Sequence, residues 1–112
     1  MENAIKQGIM TQPEKVEYIM NKGCEYFGFK RDILNESVGT RDNIHKMKRY
    51  IALAIINKTE ITMGEIASLL GYFSKDNVSV AIKKIKEELS DEFYGINKTK
   101  EIYNEFISYL NL

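Results

Sequence analysis

The sequence predicts an all-α protein of five to six helices, on three observations. Apolar residues recur at spacings of three and four along most of the chain. Thr11 and Thr62 each stand three residues ahead of a glutamate, Glu14 and Glu65, the pairing that caps a helix at its N-terminus. No segment alternates apolar and polar residues over the length of a strand, although the chain holds 15 isoleucines.

Residues 1–10 have no period and read as a loose arm ahead of a single domain over 11–112. The first helix starts at the Thr11–Glu14 box, with Pro13 in its first turn, and carries Val16, Ile19, Met20, Gly23, Cys24 and Phe27 on one stripe. Gly28 stops it, because glycine accepts the left-handed geometry of a helix end. Phe29, Ile33 and Leu34 fit a short second helix ending near Asn35, and residues 36–40 read as a loop. A longer helix follows from Arg41 or Asp42 to Asn57, with Ile44, Met47, Ile51, Ala54 and Ile55 inward and Lys46, Lys48 and Arg49 projecting elsewhere. Thr62 opens a short helix that buries Ile66, Leu69 and Leu70 and stops at Gly71. Ser74 or Asp76 caps the next, striped by Val78, Ala81, Ile82, Ile85 and Leu89. After a turn at Phe93-Tyr94-Gly95, Asn97 caps a last helix whose Ile102, Tyr103, Phe106, Ile107 and Leu110 either close the core or form a homodimer contact.

Composition bounds the class. At 112 residues, 44% hydrophobic and 29% charged, the chain suits one globular domain and not a disordered one. No run of 18 apolar residues is present, and the N-terminus lacks the layout of a signal peptide. The lone Cys24 excludes a disulfide within the chain. These features predict a cytoplasmic protein without a membrane partner, of a size common in bacteria and phages.

Net charge is zero, but its distribution is uneven. Residues 41–86 hold nine basic and four acidic side chains, whereas residues 87–112 hold two basic and six acidic ones. A basic middle points to an anionic partner.

The stretch Thr62–Leu89 has the layout of a helix-turn-helix: a capped short helix, Ala67 where a second helix must come close, Gly71 at the corner, then a longer helix. The exposed start of the second helix carries Ser74, Lys75, Asp76, Asn77, Ser79 and Val80, followed by Lys83 and Lys84. Short polar groups suit base edges and lysines suit phosphates, so Asn77 is expected on an adenine edge. Lys46, Lys48 and Arg49 are expected to grip the adjacent backbone or a minor groove, and Tyr72 a phosphate, while Phe73 plugs the core. The partner predicted is double-stranded DNA. The alternative, favoured by zero net charge, is a protein-interaction domain on the same scaffold.

Three blocks carry a family resemblance. Glu25-Tyr26-Phe27-Gly28-Phe29-Lys30 with Ile33-Leu34, Lys48-Arg49-Tyr50-Ile51-Ala52-Leu53, and Ile61 to Gly71 with Ala81-Ile82-Lys83-Lys84-Ile85 together resemble the C-terminal DNA-binding domain of the bacterial replication initiator DnaA, a Trp-repressor-like fold. The resemblance implies DNA binding in the control of transcription or replication. It departs at the signature: the family's base-reading Asp, His and Ser/Thr fall on Ser74, Lys75 and Asp76, and its minor-groove arginine falls near Lys46. Recognition of the family's target sequence is therefore not implied.

Catalytic chemistry is not indicated. His45 is the sole histidine and reads as a surface residue; Cys24 lies on an apolar stripe. One cysteine and one histidine cannot make a structural zinc site. No phosphate-cradling Gly-x-x-x-x-Gly-Lys-Ser/Thr loop occurs, so no nucleotide or other cofactor is expected. Glu87-Glu88 and Asp91-Glu92 read as solvated helix ends.

Overall fold

The computed structural model describes residues 10–35, 42–91 and 97–112, and those residues are helical with no strand among them. The expected arm over residues 1–9, the loop at 36–40 and the turn at Phe93-Tyr94-Gly95 lie outside the described residues. Five α-helices and one 3-10 turn follow in order: α1 Gln12–Phe27, the 3-10 turn Arg31–Asn35, α2 Asp42–Lys58, α3 Met63–Leu70, α4 Lys75–Leu89 and α5 Lys98–Leu110.

Local rules set most of the ends. Both capping boxes form. The Thr11 hydroxyl accepts from the Glu14 N–H at 3.2 Å while the Glu14 carboxylate accepts from the Thr11 N–H at 2.9 Å. Thr62 and Glu65 repeat the exchange at 3.1 and 2.9 Å. The short second helix is a 3-10 turn that buries Leu34. Arg31 ties it back to α1, donating to Asn21 at 2.8 Å and pairing with Glu17 at 3.3 Å. Asn97 serves two helices. Its Oδ1 accepts from the Lys100 N–H to start α5, and its amide donates to the carbonyls of Glu88 and Leu89 at the end of α4.

α2 is the axis of the bundle. α1, α3 and α4 all pack on it, so burial runs nearly all the way round. Met47, Lys48, Tyr50, Ile51, Ala52, Leu53, Ala54 and Ile55 are each at most 2% exposed. α1 crosses close: a Cβ on Gly23 would lie 2.6 Å from Cγ1 of Ile51. α5 lies across α1, burying Tyr103, Phe106 and Leu110. Phe106 packs on Tyr26 and Phe27, with ring centroids 5.5 and 5.2 Å away. Tyr103, Phe106 and Leu110 of the last helix thus close this core, while Ile102 and Ile107 beside them stay half-buried.

Candidate nucleic-acid interface

The pair α3 and α4 is joined by residues 71–74. Gly71 sits at φ 72°, and the N–H of Tyr72 donates to the Ala67 carbonyl at 3.0 Å. That bond is the signature of a Schellman end, in which the residue after the glycine folds back onto its own helix. The consequence at the corner reverses the expectation for its two aromatics. Tyr72 turns inward and its hydroxyl is buried without a hydrogen-bond partner, so it offers no phosphate contact. Phe73 does not plug the core but stands 96% exposed.

Burial raises the Tyr72 phenol from its ordinary 10.0 to about 12, against the opposing pull of the nearby Arg49 guanidinium. The folded protein thus holds the neutral phenol where the unfolded chain would ionise it. This contribution is complete below pH 10 and is lost as pH rises from 10.0 towards about 12. Tyr72→Phe is expected to leave stability at pH 7 unchanged or slightly higher, because it removes an unsatisfied buried hydroxyl, and to blunt the loss above pH 10. Urea titrations at pH 7, 10 and 11 check it; a variant less stable at pH 7 would mean that the hydroxyl has a partner.

α4 buries Val78, Ala81, Ile82 and Ile85. Its outward arc is centred on Asp76, Val80, Lys83 and Glu87, four and three residues apart, with Ser79 on one flank and Asn77 and Lys84 on the other. Lys75, Lys83, Lys84 and Lys86 are all exposed. None of these four forms an ion pair with any described residue. Lys83 and Lys86 also line a groove of about 450 Å³ between Met63 at the start of α3, Ser79, Ile82 and Glu87 on α4, and Ser90 just beyond it.

Ser74 precedes α4 with extended backbone but makes no side-chain cap; its hydroxyl donates to Oδ1 of Asn77 at 2.8 Å. That bond uses one of the two lone pairs of Oδ1, so Asn77 keeps the other, and both amide hydrogens, for an adenine edge.

The basic residues of α2 separate. Arg49 is half-buried under the corner, with its Nε buried and unpartnered. Lys48 does not project as expected: it is 2% exposed, because α2 is enveloped at this level, and it presents no surface for a phosphate. Lys46 is exposed but lines a different cleft, of about 300 Å³, with Phe27, Phe29, Asn43, Met47, Tyr50 and Ile102. No wall of that cleft comes from α3 or α4. An outward residue of α4 that sequence reasoning left out of the site is Lys86. It follows from the phase of the stripe, since it does not fall on the 78, 81, 82, 85 face.

No protein-family model matches the sequence, and no solved structure matches it. A curated protein does. The protein argonaute of Methanocaldococcus jannaschii is 34% identical over 91 residues, which make up 80% of this chain and 13% of that protein. The chain thus spans a small fraction of the length of the relative it matches. These findings overturn the resemblance to the DnaA domain: the match is to a different protein, and no family model matches the motif blocks. The blocks themselves have a simpler physical origin. A capping box, a glycine in left-handed geometry and an Ala-Ile-x-x-Ile stripe are what any capped helix needs when it turns a corner into a second, amphipathic one.

Among the described residues no helix is long and apolar enough to cross a membrane, and no three His, Cys, Asp or Glu side chains gather as a metal site. Cys24 is 2% exposed and burial pushes its thiol up, which suits a packing role.

Proposed function

We propose that the chain binds double-stranded DNA by laying α4 in the major groove, as a DNA-binding module and not as an enzyme. The observation that carries this is the outward arc of α4. The arc and its flanks present four exposed lysines, Lys75, Lys83, Lys84 and Lys86, against the two exposed acids Asp76 and Glu87, and none of the four is paired with a described acid. The corner at Gly71 holds that arc clear of the bundle, and Arg49 adds a partly exposed charge beneath it. An unpaired row of lysines on a helix that fits the groove gains by displacing counterions from phosphates, whatever the net charge of the whole chain.

If the four lysines each meet a phosphate, the logarithm of affinity falls with that of salt at a slope of about −3.6, roughly a hundredfold loss between 50 and 200 mM. Lys83→Ala is expected to flatten the slope by about 0.9. A mobility-shift titration on random-sequence duplex checks both; no shift at 50 mM salt would defeat the reading. One observation favours a second reading. Phe73 at 96% exposure is an anchor of the kind that protein partners bury. A protein-interaction module would use the same corner, would bind no duplex, and would lose its partner on Phe73→Ala.

A further inference from the structure

We infer that Val80 is a specificity-determining residue that recognises the C5-methyl group of thymine, an inference that rests on the duplex-binding reading above. Val80 is 66% exposed, whereas the other aliphatic residues of α4 are buried or half-buried. It lies in the middle of the outward arc, between Asp76 and Lys83 and beside Ser79 and Lys84. A helix seated in the major groove by those lysines points the centre of its outward arc at the base edges on the floor, from which the long Lys83 side chain still reaches a phosphate and the short Val80 does not. The apolar feature on that floor is the thymine methyl, which an aliphatic side chain reads by contact. Valine suits the task because its χ1 is nearly fixed in a helix, so its two methyls are held in place before binding. The neighbours on the arc are charged or hydroxylated and supply no such contact. Asn77, the expected base reader, lies on the flank of the arc and already accepts a hydrogen bond from Ser74, whereas Val80 stands at the centre of the arc.

The test compares the full chain on two duplexes that differ only in the methyl: alternating poly(dA-dT) and alternating poly(dA-dU), at 50 mM salt. The wild type is expected to bind the thymine duplex about fivefold tighter. Val80→Ser should bring the two affinities within about twofold of each other, and Val80→Ala should fall between. Lys83→Ala should weaken both duplexes equally. Equal wild-type affinities overturn the inference and leave duplex binding standing. So does a preference that survives Val80→Ser, since the methyl would then act through duplex shape. Absence of binding to either duplex removes the inference together with the reading it rests on. Because Val80 is exposed, the variants keep the fold, and unchanged helical circular dichroism verifies this.

Discussion

Gly71→Ala is expected to destabilise the protein by about 3 kcal/mol, and Gly28→Ala by about 1 kcal/mol. Both glycines end a helix at positive φ, 72° and 81°. An alanine at either position bears the same left-handed strain, about 1 kcal/mol. The surroundings separate them. A Cβ on Gly28 would meet nothing within 4 Å. On Gly71 it would lie 3.0 Å from the Asn35 carbonyl carbon and oxygen and from the Leu34 oxygen. Those are backbone atoms of the 3-10 turn and cannot rotate aside, so the corner or the turn has to move. Urea unfolding of the two variants measures the difference. Equal losses would mean that the 3-10 turn does not brace the corner. Since α4 leaves from that corner, Gly71→Ala is also expected to weaken duplex binding by more than its effect on the folded population, while Gly28→Ala leaves binding alone.

What could be read from the sequence was what neighbouring residues decide among themselves. Thr11, Thr62, Gly28, Gly71 and Asn97 act on backbone groups within a few residues, and each ends its helix where a local rule places it. The stripes of α1, α4 and α5 were legible because each of those helices has one wet side. α2 was misread for the opposite reason. It is surrounded, so a stripe of five residues understated its burial and left Lys48 outside when it is 2% exposed. Enclosure is a property of the assembled bundle, and no window along the chain contains it.

The candidate site was legible in part. That α4 is exposed where it carries Lys75, Lys83 and Lys84 follows from the phase of its apolar stripe. Which of Tyr72 and Phe73 points inward does not follow from hydrophobicity, since both are aromatic. The signal that distinguishes them is register: the residue after a left-handed glycine packs back on its helix. Phe29 obeys it after Gly28, with its N–H on the Cys24 carbonyl at 2.9 Å and its ring against the core. The same rule applied at Gly71 would have turned Tyr72 in and Phe73 out. The family resemblance failed on related ground. Its matching positions were those that build corners and stripes, while the positions that read bases all differed, and scaffold positions alone do not identify a lineage.

The largest loss is expected from Phe106→Ala, about 4 kcal/mol. The ring is fully buried and sits between Tyr26 and Phe27. Its edge also meets α1 where Gly23 has no side chain: a Cβ there would be 3.4 Å from Cζ of Phe106. Position 23 therefore has no side chain to fill the void, which puts the cost toward the upper end for such changes. A domain of this size is stable by roughly 5–15 kcal/mol, so the variant would be markedly unfolded at modest temperature. Tyr109→Ala on the same helix is the control. Its ring is 38% exposed and its hydroxyl bonds Glu25 at the surface, so it should cost under about 1 kcal/mol. Thermal melts of both variants, run over a hundredfold range of protein concentration, also bear on the role of α5. If α5 closes the core of its own chain, the wild-type midpoint is independent of concentration. A midpoint that climbs with concentration would mean that the chain buries surface against a second copy, with the half-buried Ile102 and Ile107 of α5 as the candidate face. The two recognition helices of such a pair would then be fixed in spacing, and the duplex-binding assays would show a site length of about two half-sites one helical turn apart.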